Sequence, residues 1–316
     1  MEPLRVGICG LGTVAQGVLD VLRRNARGIA QRAGREIAVV AVASRTPKPE
    51  VDLGGATFST DVHALAARDD LDVVVELIGG EDTALSLVET ALGNGTSVVT
   101  GNKAIVALHG EGLFALARAN AAHLGFEAAV AGSIPIIATL TDALAGNEHD
   151  WLAGIINGTS NFILSAMAGE GQAFADALAR AQELGYAEAD PTFDVEGVDA
   201  AHKLTILAAL AFDAGFHFED VYVEGITQLT PDDIEYARQL GYCIKHIGLA
   251  RRRPNGIEAR VHPVLIPQEH LLASINDAMN AVLVHSNAAG DTLYAGAGAG
   301  ALPTASAVVG DLINVA

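Results

Sequence analysis

A glycine-containing turn near the N-terminus constrains the fold of this chain more than any other feature. An apolar run without helical periodicity, residues 4–9, leads into Gly10-x-Gly12-x-x-Ala15, which opens a helix predicted over 13–24. The glycines allow a tight turn and let a pyrophosphate approach the amides at the helix N-terminus. A glycine-rich turn of an ordinary α/β protein is the alternative. Because strand, turn and helix agree in order and position, we predict a dinucleotide-binding fold, with Gly10 and Gly12 at the cofactor.

The rest of the first half alternates short apolar strands with helices, which is typical of a doubly wound parallel sheet of the Rossmann type. Beyond residues 131–135 the alternation of strands and helices ends, and several helical segments are followed by strand segments. This pattern predicts a second, mixed α/β domain for substrate binding, catalysis and dimerisation. The predicted domains are 1–133, completed by 296–316, and 134–295. The predicted strands cover 37–43, 72–76, 96–100, 243–250 and 257–266, and helices cover 83–92, much of 160–212 and the residues after Pro303.

Composition and charge exclude several classes of protein. At 316 residues the chain has room for two domains, each with its own core. Half of the residues are hydrophobic, but the apolar runs stay shorter than the roughly 18 residues of a membrane span. The net charge of −19 would repel nucleic acid or an anionic membrane surface. The two cysteines, Cys9 and Cys243, form no disulfide framework and no signal-peptide pattern precedes them, so we expect a cytoplasmic protein.

The residues after the second predicted strand bear on the choice of cofactor. An NAD site usually has Asp or Glu there to bind the ribose 2′-hydroxyl, whereas Arg can accept the 2′-phosphate of NADP. Residues 42–48 read VASRTPK and contain no carboxylate, so Arg45 favours NADP(H) over NAD(H). Stacking of Arg45 on the adenine of either cofactor is the alternative interpretation.

Residues 181–203 form the segment richest in potential catalytic groups. On a helix predicted to begin near Val195, Asp199 and Lys203 stand four residues apart on one face. An exposed helix ion pair, with Asp190 and Asp194 as turn and capping residues, is the structural alternative.

A second candidate lysine lies in the predicted dinucleotide domain. Lys103 follows a strand predicted to end at Thr100, and doubly wound sheets bind ligands at the carboxyl ends of their strands. There a lysine could position a substrate carbonyl or share in proton transfer. Lysine occurs at only four positions of the chain, so a lysine within a motif is less readily explained as an ordinary surface residue. An exposed loop lysine remains the alternative interpretation of Lys103.

These segments resemble conserved blocks of one family, the homoserine dehydrogenases, along essentially the whole chain. The resemblance implies NAD(P)-dependent interconversion of L-homoserine and L-aspartate 4-semialdehyde, on the route to threonine, methionine and isoleucine. The family signature is matched at Ala181, Gly185, Asp190-Pro191, Asp194, Gly197, Asp199 and Lys203, and further blocks are matched at 10–14, 100–103, 157–161, 298–300 and 303–306.

The resemblance also implies roles for individual residues. Lys203 would donate the proton to the carbonyl oxygen during reduction, while Glu188 and Asp199 would hold the substrate through its ammonium group. Asp194 would support this shell, and Lys103 would lie beside cofactor and substrate. An amino-acid substrate needs carboxylates for its ammonium group, and hydride delivery needs a cation near the developing alkoxide. The implied cofactor contacts are Gly10, Gly12, Thr13, Val14, Arg45, Ile78, Gly79, Lys103, Gly185 and Gly300.

A monovalent cation site, generally sodium, is a further family feature. It is built from one carboxylate and backbone carbonyl oxygens, and oxygen ligands suit a hard cation. The resemblance places it on Glu127, Val130, Gly132 and Ile134, although Ser133 stands where the family usually has Gly.

The resemblance leads us to expect a homodimer or a dimer of dimers, in which the strand-rich segment 243–266 could pair its edge with a second copy. Longer members of the family carry a C-terminal regulatory domain. We expect this chain to be a short form without that domain, in which threonine does not act as an allosteric effector.

Two competing functions are weaker. An acylating aspartate semialdehyde dehydrogenase needs a cysteine nucleophile, but Cys9 lies in a predicted strand and Cys243 has no motif around it. A non-catalytic NADP-binding sensor would be expected to lose the lysines and carboxylates of the site first, and this chain has them all.

Overall fold

Residues 2–316 are described in the computed structural model of the chain, and they form two compact units. One unit comprises the residues up to Ser133 together with Ala299–Ala316, and the other comprises Ile134–Gly298. The segment that returns to the first unit begins at Ala299 rather than at residue 296, because the preceding strand continues to Ala297. No helix within residues 2–316 is long and apolar enough to cross a membrane.

The first unit is built on a six-stranded parallel sheet. Its strands are β1 (Leu4–Cys9), β2 (Ile37–Ala43), β3 (Thr57–Ser59), β4 (Val73–Glu76), β5 (Ser97–Thr100) and β6 (Leu124–Gly125). Their order is β3-β2-β1-β4-β5-β6, which confirms the predicted doubly wound sheet. The Val-rich run of β4 is fully buried, as expected for a strand of a parallel sheet. The strand order reverses between β1 and β4, which is where such sheets bind ligands.

Five helices lie between the strands of this unit. Asn102 caps the last of them, because its Oδ1 accepts hydrogen bonds from the amides of Ala104 and Ile105 at 3.2 and 3.4 Å. A 3₁₀ turn, Glu127–Ala129, follows β6. The helices are α1 (Thr13–Arg24), α2 (Ala26–Ala33), α3 (Val62–Ala66), α4 (Asp82–Gly93) and α5 (Lys103–Ala119).

The second unit is built on a mixed six-stranded sheet. Its strands are β7 (His149–Ile155), β8 (Tyr222–Val223), β9 (Tyr242–Arg253), β10 (Gly256–Pro267), β11 (Met279–Ser286) and β12 (Gly290–Ala297). Their order is β12-β11-β7-β9-β10-β8, and neighbours are antiparallel except for β8, which runs parallel to β10. The mixed α/β class predicted for this unit is therefore confirmed. Strands β7, β8, β11 and β12 were not predicted from the sequence.

The second unit, Ile134–Gly298, contains six α-helices in addition to this sheet. They are α6 (Ile136–Ala138), which leads into a π-helical turn at Thr139–Ala143, α7 (Gly158–Glu170), α8 (Phe174–Glu183), α9 (Thr192–Val195), α10 (Val198–Phe212) and α11 (Pro231–Gln239). Helix α10 begins three residues later than predicted. Gly197 adopts a φ of +87°, and this left-handed residue separates α9 from α10.

Helix α12 (Ala301–Val315) belongs to the first unit and packs on α1. Gly17 of α1 allows the close approach, since a Cβ there would lie 2.6 Å from the carbonyl oxygen of Ala301. Val308 and Leu312 of α12 are fully buried in the core that also contains β1 and β4. The first unit is therefore complete only when the chain has returned to it.

Candidate active site

The turn after β1 leaves the N-terminus of α1 open. Gly10 adopts a φ of +100°, and a Cβ on it would lie 2.5 Å from the carbonyl oxygen of Leu77, so a larger residue does not fit. Gly12 occupies the N-cap position without a side-chain cap, and the space beside it is open. Thr13 and Val14 follow as the first residues of α1. Amides at this helix end are therefore available to an anion such as a pyrophosphate.

The loop after β2 presents Arg45 in an exposed position. Its first residue is held in place, because the Ser44 amide donates to the carbonyl oxygen of Ser59 at 3.0 Å. In doubly wound sheets the residue at this strand end faces the adenine ribose. A guanidinium in this position can bind a 2′-phosphate through paired N–H donors.

Glu76, the last residue of β4, joins the loops that follow β4 and β5. The side chain is fully buried, and its Oε1 accepts from the amides of Ile78 at 2.8 Å and Gly79 at 3.4 Å. Its Oε2 accepts from the Thr100 hydroxyl at 2.5 Å. Burial raises the pKa of Glu76. Lys103, three positions after Thr100, is half-buried as the first residue of α5.

Two other glycines predicted at the cofactor occupy positions that glycine favours for local reasons. Gly185 follows α8 with a φ of +76°, and Gly300 is the N-cap of α12 with a φ of +127°. Both backbone conformations are strained for residues with a Cβ. Their identity as glycine is therefore explained by the fold of each unit, whether or not they contact a cofactor.

In the second unit, Lys203 and Asp199 form a buried ion pair on α10. Lys203 Nζ donates to Asp199 Oδ2 at 2.6 Å and to the carbonyl oxygen of Ile156 at 2.8 Å. The two side chains keep only 12% and 6% of their exposure, so an exposed helix pair does not describe them. Removing two charges from water is costly, and a buried pair is poor evidence for a purely stabilising role. The burial therefore favours a functional role.

Asn157 brings a second carboxylate to this pair. Its Nδ2 donates to Asp194 Oδ1 at 2.7 Å and to Asp199 Oδ2 at 2.8 Å, while its Oδ1 caps α7 by accepting from the Ser160 amide at 2.8 Å. Burial raises the pKa of Asp194 against the hydrogen bond from Asn157, and the charge of Asp199 adds to the rise. Asp190, also considered as a turn residue, accepts from the Thr192 amide at 3.1 Å.

Glu188 lies on the loop between α8 and α9, and it is exposed. The backbone carbonyl of Glu188 accepts from Gln182 Nε2 at 3.0 Å. The hydroxyl of Thr159 donates to the carbonyl oxygen of Tyr186 at 2.7 Å, which connects this loop to α7. The structure thus gathers Asp194, Asp199 and Lys203 into one cluster, with Glu188 on an adjoining loop.

Sequence reasoning missed the roles of Asn157 and Glu76. Asn157 lies in a block that was matched to the family, but its bridging of two carboxylates depends on residues about forty positions away. Glu76 ends a predicted strand, where a solvent-exposed carboxylate would look the same in sequence. Its partner Thr100, at the end of the neighbouring strand, was the available signal, because adjacent parallel strands end at one sheet edge.

Glu127, the carboxylate of the predicted cation site, lies beside a second buried carboxyl group, that of Asp311. Glu127 is 7% exposed, and its amide donates to Asp311 Oδ2 at 2.9 Å. Burial and the charge of Glu127 raise the pKa of Asp311 to about 7. Val130 is extended, whereas Gly132 has a left-handed φ of +55°. Ile134, the fourth predicted ligand, is a buried residue at the start of the second unit.

The donor set in this region fits a hard monovalent cation. Within residues 2–316 no group of three or more His, Cys, Asp or Glu side chains is arranged to hold a metal ion. A site made of one carboxylate and backbone carbonyls is of a different kind, and its oxygen ligands suit sodium. The charge of Glu127 acts on the buried Asp311 carboxyl group, and two such groups in one region favour a nearby positive charge.

A dinucleotide-binding sheet and a second unit with a lysine–carboxylate cluster define a nicotinamide-dependent dehydrogenase. Models of one family match both parts of the chain: residues 10–127 match the NAD-binding domain of homoserine dehydrogenase, and residues 135–313 match homoserine dehydrogenase itself. The chain belongs to the homoserine dehydrogenase family, and it is an oxidoreductase.

Individual relatives agree with the family models. Homoserine dehydrogenase of Pseudomonas aeruginosa is 56% identical over 315 residues, which cover 100% of this chain and 73% of the relative. The crystal structure of a homoserine dehydrogenase from Thiobacillus denitrificans has a TM-score of 0.97 and 57% identity, and the match covers 99% of this chain and 73% of that one. A hyperthermophilic archaeal homoserine dehydrogenase in complex with NADPH has a TM-score of 0.85 and 25% identity, covering 99% and 98%. The resemblance predicted from the sequence is confirmed, and the cofactor is a nicotinamide dinucleotide.

Proposed function

We propose that the chain catalyses the reversible interconversion of L-homoserine and L-aspartate 4-semialdehyde, on the route to threonine, methionine and isoleucine. The buried cluster of Lys203, Asp199 and Asn157 carries the proposal. Two of the three N–H groups on Lys203 Nζ point to Ile156 and Asp199, and we assign the third to the substrate oxygen. An ammonium held in this way is oriented before the substrate arrives, which is how electrostatic stabilisation of a developing alkoxide works best.

The residues of the second unit then have distinct tasks. A bound nicotinamide dinucleotide supplies or accepts the hydride. Lys203 donates a proton to the carbonyl oxygen of the semialdehyde during reduction and takes it back from homoserine during oxidation. Asp199 orients the Lys203 ammonium and, with Glu188, binds the ammonium group of the substrate. Asp194 supports Asp199 through their shared hydrogen-bond donor, Asn157.

A direct assay tests the reaction. Homoserine added to the chain with NADP should produce the absorbance band of the reduced cofactor, and the same assay with NAD measures the cofactor preference. If reduced cofactor bound to the chain but neither oxidised cofactor was reduced by homoserine, the chain would be a non-catalytic nucleotide sensor.

We further propose that NADP(H) is preferred over NAD(H). Arg45 is exposed at the carboxyl end of β2, where doubly wound sheets contact the adenine ribose. Residues 42–48 contain no carboxylate that would accept the two ribose hydroxyls of NAD. The proposed contacts in the first unit are Gly10, Gly12, Thr13, Val14, Arg45, Ile78, Gly79, Lys103 and Gly300, and Gly185 is the proposed contact in the second unit.

A sodium ion is the proposed occupant of the cation site. Glu127 would supply the carboxylate oxygen, and Val130, Gly132 and Ile134 would supply backbone carbonyls. The ion would neutralise part of the charge shared by Glu127 and Asp311. Thermal stability that rises with sodium but not with an equal concentration of tetramethylammonium would support the site.

We propose that two copies of the chain associate through the second unit. Strand β9 is internal to its sheet, and β10 pairs with β8 at Arg260 and Val261, so part of the predicted edge is already paired within the chain. One face of the sheet offers an alternative surface. Its apolar side chains include the half-buried Trp151, Leu249 and Leu293. Half-buried apolar residues on a sheet face are typical of an interface between subunits.

We also propose that the chain works in the cytoplasm, because its cysteines are free thiols. Cys9 is a buried free thiol, and Cys243 is a half-buried one. Unpaired cysteines are common where thiols are kept reduced.

A further inference from the structure

Glu76 is a buried carboxylate at the ligand-binding edge of the first unit. It is 0% exposed and ends β4, beside the point at which the strand order of the sheet reverses. Its cross-strand neighbours are Cys9 on β1 and Thr100 on β5. Burial and the charge of Glu76 raise the pKa of the Cys9 thiol to about 12. The other three residues of β4 are valines, so an acidic residue in this setting needs a reason.

The contacts of Glu76 supply that reason. Its two carboxylate oxygens accept from donors on two different loops: Oε1 from the amides of Ile78 and Gly79, and Oε2 from the Thr100 hydroxyl. A carboxylate accepts hydrogen bonds on both oxygens, whereas an amide side chain has one donating end. A neutral isostere therefore cannot reproduce all three contacts.

Asn102 completes a closed circuit of hydrogen bonds. The backbone amide of Asn102 donates to Thr100 Oγ1 at 3.0 Å, and its side-chain Nδ2 donates to the carbonyl oxygen of Gly80 at 2.6 Å. The loop after β4 and the loop after β5 are thus connected through Glu76 and through Asn102. Gly79 and Gly80 have φ values of +70° and +74°, and two consecutive glycines would otherwise leave this loop free to move. The same asparagine caps α5, whose first residue is Lys103.

We propose that Glu76 is a positioning residue for the nicotinamide cofactor, because it holds the 77–80 loop and the start of α5 in the arrangement that receives the cofactor. The proposal rests on the proposed function of this unit, which assigns Ile78, Gly79 and Lys103 to that cofactor. Glu76 acts through those residues. Ordering the loop before binding lowers the entropic cost of binding.

Two variants test the proposal on the chain with both of its units. Glu76→Gln keeps the shape of the side chain and removes its charge, and Thr100→Val removes the hydroxyl that donates a hydrogen bond to Glu76 Oε2. Each should weaken NADPH binding, measured by fluorescence titration without substrate, by about tenfold for Glu76→Gln and by several-fold for Thr100→Val. Thr96→Val is the matched control, since Thr96 is a buried threonine directly before β5 and lies outside the circuit. It should leave NADPH binding unchanged.

A split between kinetic constants separates positioning from general destabilisation. Glu76→Gln should raise the KM for NADP while the KM for homoserine stays within twofold, whereas partial unfolding would lower kcat alone. An NADPH affinity within twofold of the unchanged chain in both Glu76→Gln and Thr100→Val would overturn the proposal. If Glu76→Gln does not fold, Thr100→Val alone decides. A chain that binds NADPH but does not oxidise homoserine would overturn the proposed function, and the binding test of Glu76 would still stand.

Discussion

The role of the ion pair between Lys203 and Asp199 is indicated by its burial more than by its spacing in the sequence. Their spacing of four residues places them on one helix face, which the sequence already predicts. The spacing does not reveal that the pair is enclosed by Ile156 and by Asn157, at the end of β7 and the start of α7. Burial of each ion costs several kcal/mol before the pair attraction is counted. The pair is therefore more readily explained by chemistry at Lys203 than by stability.

We expect Lys203→Ala to lower kcat by about two to four orders of magnitude, the range typical for loss of a general acid. NADPH affinity should stay within a few-fold, because Lys203 belongs to the second unit and the dinucleotide turn to the first. Steady-state kinetics and an NADPH titration check the two halves of this prediction.

Lys245→Met is the matched control for Lys203→Ala. Lys245 is also buried, and its Nζ donates to Asn276 Oδ1 at 2.9 Å and to the carbonyl oxygen of Ile275. Its loss should lower the melting temperature but leave kcat of the folded protein unchanged. Near-normal kcat in Lys203→Ala would exclude the proposed role in proton transfer.

Arg45 should decide the cofactor preference. Loss of a charge-assisted hydrogen bond to a phosphate costs about 1.5–3 kcal/mol, or roughly ten- to a hundredfold in affinity. We therefore expect Arg45→Ala to weaken NADP selectively and to leave the KM for NAD within a few-fold. Equal losses for both cofactors would show that Arg45 stacks on the adenine instead.

The elements differ in how well the sequence predicts them. The bounds of β1, α1 and β2 follow from local rules, because a glycine turn and an uninterrupted apolar run have few alternatives. Helix α10 begins later than predicted because Gly197 adopts a left-handed conformation, which the neighbouring residues in the sequence do not predict. Strand β7 was missed because its partners, β9 and β11, lie about a hundred residues or more away in the chain. Strands β11 and β12 form a hairpin with a short connection, which the sequence analysis did not recognise.

The hairpin of β9 and β10 has a charge network that should respond to pH. Glu258 contacts Arg251, Arg253 and Arg260, and its carboxylate accepts from the Nε atoms of the first two at 2.7 Å. The hydrogen bond from Arg251 is the largest cause that lowers the pKa of Glu258 to about 2. A lowered pKa in the folded state stabilises the fold above the unfolded value near 4.5, and this contribution is lost as the pH falls towards 2.

We therefore expect Glu258→Gln to lower the urea midpoint of unfolding at pH 7. The difference in midpoint between the variant and the unchanged chain should become smaller between pH 4.5 and the lowest pH at which the chain still folds. Urea unfolding curves at pH 7, 5 and 3.5 measure this. Glu269→Gln is the control, because Glu269 is an exposed carboxylate just beyond β10. A constant difference at all three pH values would mean that the charge of Glu258 does not stabilise the hairpin.

At the scale of the whole molecule, the apolar face of the second sheet predicts self-association. Leu249→Glu places a charge on that face and should convert a dimer to a monomer, as light scattering would show. Leu240→Glu is the control, since Leu240 is 72% exposed after α11, away from the face. The chain has a single tryptophan, Trp151, on the same face, so its emission should shift when the dimer dissociates. A monomer in the unchanged chain would contradict the proposed assembly.

The return of α12 to the first unit has a consequence for the order in which the chain can fold during translation. The second unit, Ile134–Gly298, is complete as soon as Gly298 has left the ribosome, whereas the sheet that precedes it still lacks the helix bearing Val308 and Leu312. At elongation rates of about 5–20 residues per second, the inserted unit delays α12 by on the order of ten to thirty seconds. Throughout that interval the nascent first unit exposes the apolar groove that α12 later fills, and a chaperone that binds apolar surfaces would find it there.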